Sequence, residues 1–173
     1  MDFKTLYLAD KQRYNCGGGG YALRFLWLLR RCQCSNGIVS YIYRRLLGRM
    51  KLKYGLEISA RTKIGKGFYL GHAFNITINP DAEIGEWCNF HKGVTIGQQN
   101  RGQKKGVPKI GNKVWIGVNA TVVGNVTIGD DVLIAPGAYV NCDIPSHSVV
   151  IGNPCQIHPN ENATLGYINY VSE

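Results

Sequence analysis

The sequence predicts a mainly β fold, a parallel β-helix with a short α-helical segment in front of it. From Ile58 onward an aliphatic or aromatic residue returns at every sixth position with few breaks, and glycine often follows it. A small or β-branched side chain stands four positions after each of these residues, as Val114 and Ala120 do. Neither an α-helix nor a two-sided strand has a period of six. A hexapeptide repeat is typical of short parallel strands that wind around a triangular prism.

The N-terminal segment, residues 1–56, is predicted to be helical. The helices are expected over residues 2–14, 21–33 and 37–53. Cys16 and the Gly17–Gly20 run separate the first two and indicate a flexible joint.

This segment also carries the net charge of the chain. Residues 1–54 contain 11 Lys and Arg against 2 acids, which accounts for the whole formal charge of +9. In the third helix, apolar and arginine side chains fall on different faces. Two interpretations stay open: the helices pack on protein, or residues 21–53 contact an anionic membrane surface.

The β-helix is predicted over residues 57–157, followed by a polar C-terminal tail, 158–173. Its six-residue period is interrupted twice. Leu70 to Ile78 is two residues longer than one repeat, and Ile96 to Ile110 is eight residues longer. Insertions in a solenoid emerge as loops and often carry the functional site.

The register of the repeat predicts a column of residues along one corner of the prism. Since three hexads make one turn, Leu70, Phe90, Ile116 and Ile134 should stack on one wall. The residues that follow them should then stack at the ~4.8 Å spacing of neighbouring strands. These residues are Gly71-His72, His91-Lys92, Gly117-Val118 and Ala135-Pro136. A histidine pair at one end of a groove edged by small residues suits an elongated ligand whose reactive end reaches a base.

Composition excludes several classes of protein. The six cysteines show no metal-ligand spacing and no disulfide framework, so we predict no metal and a reducing, cytoplasmic location. Residues 1–15 lack the apolar stretch of a secretory signal, and the apolar run 25–29 is too short to span a bilayer. The basic segment lacks the fold or aromatic spacing of a nucleic-acid binder.

The segment from Leu56 to Ile157 contains several further motifs. They include Leu70-Gly71-His72, Gly93-Val94-Thr95-Ile96-Gly97, Val114-Trp115-Ile116-Gly117 and Val150-Ile151-Gly152-Asn153-Pro154. With these motifs the segment resembles the hexapeptide acyltransferases, and within them the serine acetyltransferase family, nearest to its polysaccharide and sugar O-acetyltransferase-like members. The resemblance implies a left-handed β-helix, a homotrimer with active sites between subunits, and acetyl-CoA as co-substrate.

The resemblance also implies roles for individual residues. His72 is the expected general base, and Glu57 the carboxylate that orients it. The register of the repeat, and not the resemblance, suggests His91 as a supporting residue; the alternative is a simple polar residue at the corner. Backbone N–H groups near Gly97 are expected to stabilise the oxyanion. The resemblance places acetyl-CoA along the predicted column, where the expected cofactor-binding residues are Gly97, Gln98, Gly117, Val118, Ala135 and Pro136. Asn141 is expected at the adenine end of the cofactor.

Two departures from the family affect the acceptor. Serine-specific members carry Asp where this chain has Gly71, and Arg-His where it has Gly106-Val107. An amino acid's charges would stay unpaired without such groups, so we predict a sugar hydroxyl of a capsular, exopolysaccharide or lipopolysaccharide unit. The alternative is serine O-acetylation in cysteine biosynthesis. A third class is a binding scaffold or a zinc carbonic anhydrase on this fold. The zinc enzyme needs three converging histidines, and the four histidines here lack any HxxxxH pair.

Overall fold

Three helices open the chain in the computed structural model, which describes residues 2–14 and 19–171. They are α1 (Phe3–Gln12), α2 (Gly20–Cys34) and α3 (Gly37–Tyr54), which confirms the predicted helices. Of the predicted joint at Cys16 and Gly17–Gly20, residues 16–18 lie outside the described residues, while Gly19 is the N-cap of α2 and Gly20 its first residue. Asp2 caps α1 by accepting a hydrogen bond from the Thr5 N–H, and Gly55 ends α3 with a left-handed φ of +63°. None of the helices described has the length and apolar content needed to cross a bilayer.

Fifteen short strands follow the helices in the described part of the chain. They are β1 (Leu56–Ile58), β2 (Lys63–Ile64), β3 (Tyr69–Gly71), β4 (Ile76–Ile78), β5 (Glu83–Ile84), β6 (Asn89–His91), β7 (Thr95–Gly97), β8 (Lys109–Ile110), β9 (Trp115–Ile116), β10 (Thr121–Val123), β11 (Thr127–Ile128), β12 (Val132–Ile134), β13 (Tyr139–Val140), β14 (Ser148–Ile151) and β15 (Gln156–Pro159).

The strands form the three walls of a left-handed parallel β-helix, as predicted. Sheet 1 has the order β1-β4-β7-β10-β13, sheet 2 the order β11-β8-β5-β2, and sheet 3 the order β15-β14-β12-β9-β6-β3. The register confirms the predicted wall, because Leu70 pairs with Phe90, Phe90 with Ile116, and Ile116 with Ile134. All pairs are parallel except β14 with β15.

The interior of the prism is filled by the residues of the six-residue period. Ile58, Phe90, Ile116 and Val140 are each fully buried. Glycines after these residues allow successive turns to approach closely. A Cβ atom at Gly65 would lie 2.6 Å from the carbonyl oxygen of Gly85 in the next turn, so no other residue fits there.

A buried ion pair attaches the helices to the β-helix. The Arg30 Nε lies 2.8 Å from Asp10 Oδ2, and both side chains are completely buried. Arg30 also donates to the carbonyl oxygens of Ile64 and Gly65, while Asp10 accepts from the Phe68 N–H. Both charges are therefore satisfied by the first turn of the β-helix, which fixes α1 and α2 against it.

The C-terminal residues fold back over the outer face of sheet 3. The predicted tail begins within β15, and Ala163 and Thr164 are buried. The Asp131 carboxylate accepts hydrogen bonds from both of their N–H groups and from the Thr164 hydroxyl, and lies 3.0 Å from His147 Nδ1. Asp131 therefore fixes the C-terminal segment, residues 160–170, above the strands.

Candidate active site

Two histidines lie together where sheet 3 turns into sheet 1. Gly71 pairs in register with His91, and His72 follows Gly71 at the corner. The ring centroids of His72 and His91 are 6.4 Å apart. His72 is exposed and has a left-handed backbone with φ +51°, so its imidazole stands at the corner with access to solvent.

His91 is enclosed on two sides. The Trp115 ring centroid lies 4.8 Å from its own, and a Cβ atom at Gly71 would lie 2.5 Å from its Nδ1. Its Nε2 is buried and has no hydrogen-bond partner within the described residues. Desolvation, with a smaller contribution from His72, lowers the pKa of His91 to about 4. His91 is therefore uncharged at neutral pH and adds no positive charge next to His72.

The predicted column of small residues continues along the same corner. The Gly117 N–H donates to the Ile134 carbonyl, and the Gly137 N–H donates to the Val118 carbonyl. A Cβ atom at Gly117 would lie 2.6 Å from the backbone nitrogen of Pro136. Gly117, Val118, Ala135 and Pro136 thus stack above the histidine pair, as the register predicts.

Gly97 and Gln98 do not lie in this column, and the prediction that they do was wrong. Gly97 ends β7 in sheet 1 and pairs with Val123, so Gly97 and Gln98 lie at the corner between sheets 1 and 2. Asn141 follows β13 of sheet 1 and lies at that same corner. The reason is that Ile96 is one hexad beyond Phe90, which places it on the next wall of the prism.

Glu57 is not joined to His72 within the chain. It lies in β1 of sheet 1 with an exposed side chain, and neither its carboxylate nor the His72 imidazole makes a hydrogen bond or ion pair among the described residues. Glu57 instead lines a cavity of about 360 Å³ together with Lys51 and Gly97. Its role as the orienting carboxylate remains a prediction.

An aromatic pocket beside His91 was missed by the sequence analysis. Its volume is about 290 Å³. We call it the aromatic pocket; it is lined by Arg13, Tyr14, Tyr69, Asn89, His91, Trp115, Tyr167, Asn169 and Tyr170. The register could have revealed its floor, because Tyr69, Asn89 and Trp115 are paired positions of β3, β6 and β9.

No three His, Cys, Asp or Glu side chains converge in an arrangement able to hold a metal ion, in the part of the chain that the structure describes. The side chains that the described structure brings to the corner are the imidazoles of His72 and His91, beside a line of backbone groups.

The repeat has a known family counterpart. Residues 108–142 match the family model of the bacterial transferase hexapeptide (six repeats). Together with the fold, this match defines a left-handed β-helix built from transferase-type hexapeptide repeats.

Curated proteins that are similar to this chain include serine acetyltransferases. The Synechococcus elongatus protein is 34% identical over 114 residues, which are 65% of this chain and 47% of that protein. The Helicobacter pylori protein is 34% identical over 113 residues, 65% of this chain and 66% of that protein. The chain thus matches less than two thirds of either relative.

Solved structures that are similar to this chain also include serine acetyltransferases. The structure of the Neisseria gonorrhoeae serine acetyltransferase in complex with serine matches this chain with a TM-score of 0.75 and 26% sequence identity. The match covers 90% of this chain and 69% of that chain. The soybean serine acetyltransferase apoenzyme has a TM-score of 0.74 at 23% identity, with 91% and 69% coverage, and supports the fold alone.

Proposed function

We propose that this protein is an acetyl-CoA-dependent O-acetyltransferase that moves an acetyl group directly to a hydroxyl acceptor. The observation that carries the proposal is the position of His72, exposed at the corner below a column of small residues and 6.4 Å, centroid to centroid, from His91. An unactivated hydroxyl needs a nearby proton acceptor to attack a thioester, and imidazole is the usual choice. The similarity to serine acetyltransferases supports the same chemistry.

In the proposed mechanism His72 removes the proton of the acceptor hydroxyl as its oxygen attacks the thioester carbonyl. A tetrahedral oxyanion forms, and backbone N–H donors stabilise it. Its collapse breaks the carbon–sulfur bond, and the imidazolium of His72 returns the proton to the departing thiolate. Glu57 would orient His72 and stabilise the imidazolium. The pantetheine arm of acetyl-CoA would lie along Gly117, Val118, Ala135 and Pro136.

A homotrimer supports this mechanism better than a single chain. The column with His72 and the group of Gly97, Gln98 and Asn141 lie at two different corners of one prism. Neighbouring prisms around a threefold axis bring unlike corners together, so that Gly97 of one chain can face His72 of the next. A molecular mass of three chains in multi-angle light scattering would support this assembly, and a fully active monomer would refute it.

L-serine is the first acceptor to test, because the relatives are serine acetyltransferases and one solved neighbour holds serine. A sugar hydroxyl, which the sequence analysis preferred, is the second candidate. It is favoured by the pairing of Gly71 with His91, which leaves no carboxylate at position 71 for an ammonium group. Release of CoA from acetyl-CoA should be measured with L-serine and with a panel of methyl pyranosides. Release that no hydroxyl acceptor stimulates would refute the proposed function.

The protein is further proposed to act in the cytoplasm, with a peripheral contact at the inner membrane face. On α3, Ile38 and Leu52 are 78% and 89% exposed, and the helix carries five basic and no acidic residues. This combination suits an anionic lipid surface. Co-sedimentation with vesicles containing phosphatidylglycerol, lost in the Leu52→Glu variant, tests the contact; equal binding to neutral vesicles would contradict it.

A further inference from the structure

We infer that the aromatic pocket binds a pyranose ring, which makes a glycan or glycoside the acceptor class. This inference rests on the proposed function, because it names the acceptor of the same reaction. The pocket has three walls of different origin. Arg13 and Tyr14 come from the end of the α1 segment, Tyr69 and Trp115 from sheet 3, and Tyr167 from the C-terminal segment.

Four of the aromatic rings that line the pocket pack against each other in pairs. Tyr14 and Tyr69 have centroids 4.6 Å apart on one side. Trp115 and Tyr167 have centroids 5.0 Å apart, with planes at 66°, on the other. Tyr and Trp combine a rigid apolar face with a polar edge, which suits a ring that carries C–H groups on its faces and hydroxyls around its rim. A volume of about 290 Å³ is at the lower end for small-molecule sites, appropriate for one ring.

The charges of the pocket argue against an amino acid. No carboxylate lines it among the described residues, so an ammonium group would have no ion-pair partner. Its one cation, Arg13, is 5% exposed and donates to the carbonyl oxygens of Gly67 and Asn169 and to Asn89 Oδ1. The guanidinium of Arg13 thus already donates hydrogen bonds to groups of the protein. Burying a zwitterion here would leave both charges unpaired, whereas a neutral polyhydroxylated ring avoids that cost.

The position of the pocket connects it to the reaction. His91 forms part of its wall, and the His91 ring centroid lies 6.4 Å from that of His72. A sugar ring held against Tyr69 and Trp115 would therefore be separated from His72, the proposed base, by the imidazole of His91. A hydroxyl on that ring, or on a neighbouring sugar unit of the same glycan, would point past His91 towards His72.

Fluorine NMR of protein labelled with 5-fluorotryptophan tests the inference without any turnover. The chain has three tryptophans, and Trp27 and Trp87 lie outside the pocket and serve as internal references. Methyl β-D-glucopyranoside, methyl β-D-galactopyranoside and methyl α-D-mannopyranoside are titrated separately, with L-serine as the competing acceptor. We expect at least one glycoside to shift the Trp115 signal saturably and L-serine to leave it unchanged. A shift with L-serine only, or with none of these compounds, would overturn the inference.

A pair of tyrosine variants completes the test. Tyr167→Ala should weaken glycoside binding about 3- to 10-fold, the usual worth of one aromatic contact, while Tyr41→Ala, an exposed tyrosine on α3, should not. Equal binding by both variants would count against the pocket.

Failure of the proposed function and failure of the pocket inference give different results. Glycoside binding without any acetyl transfer refutes the proposed function alone, and serine acetylation that Tyr167→Ala leaves unchanged refutes the pocket alone.

Discussion

The imidazole of His91 lies directly over the backbone of Gly71, close enough that a Cβ atom at position 71 would be 2.5 Å from His91 Nδ1. The two residues are register partners in β3 and β6. The absence of a side chain at position 71 is therefore what makes room for the His91 ring next to His72.

This relationship predicts a specific rescue. Gly71→Ala should overpack the corner and lower the free energy of unfolding by about 1–3 kcal/mol. His91→Ala in the same chain removes the clashing ring, so the double variant should lose less than the sum of the two single variants. Urea denaturation of all four proteins measures the coupling. Strictly additive losses would mean that the ring does not occupy this space in solution.

The buried ion pair between Asp10 and Arg30 predicts a large loss of stability on truncation. Arg30→Ala leaves the Asp10 carboxylate buried without its main partner, which should cost about 3–5 kcal/mol of unfolding free energy. Arg61→Ala is the matched control, because the Arg61–Asp81 pair is exposed and should be worth about 0–1 kcal/mol. Denaturation midpoints compare the two, and similar losses would contradict the buried pairing.

The depressed pKa of His91 predicts how stability depends on pH. Burial lowers this pKa from 6.5 to about 4, so the unfolded chain binds a proton between these values while the folded chain does not. The free energy of unfolding contributed by this group should therefore fall as the pH decreases from 6.5 towards 4, and be constant above 6.5. Urea midpoints across this range measure it. His91→Gln should flatten the dependence and His158→Gln, on an exposed residue, should not; an unchanged slope in His91→Gln would refute the assignment.

The attachment of the C-terminal segment should depend on Asp131. Asp131→Asn weakens the hydrogen bonds that the carboxylate accepts from Ala163, Thr164 and His147. Hydrogen exchange should then become faster across residues 160–170, and glycoside binding should weaken because Tyr167 is no longer held over Trp115. Asp81→Asn, in an exposed pair, is the control. Unchanged exchange rates in Asp131→Asn would show that other contacts hold the segment.

The six-residue period was sufficient to predict the column at the corner, because hydrophobic residues must face inward and three hexads close one turn. Gly71, His91 and Gly117 were placed correctly by counting alone. The same counting, applied consistently, assigns Gly97 to the next wall, so its placement was an error of register and not a limit of the sequence.

Most of the aromatic pocket, in contrast to the column, could not be predicted from the six-residue period. Arg13 bonds to Gly67 and Asn89, which are 54 and 76 residues away in sequence, and Tyr167 reaches Trp115 through the folded-back C-terminal segment. These contacts depend on how α1 and residues 160–170 pack on sheet 3. The local periodicity contains no information about that packing, so only the floor of the pocket could have been predicted.

His72 is proposed to be the general base of acetyl transfer to a hydroxyl. Its φ of +51° makes His72→Asn the appropriate variant, because asparagine tolerates a left-handed backbone. Single-turnover transfer from acetyl-CoA to the acceptor that the wild type uses should be slowed about 10²- to 10⁴-fold in His72→Asn. His158→Asn, at an exposed histidine, should keep the wild-type rate. A His72→Asn variant that transfers acetyl at the wild-type rate would contradict the account.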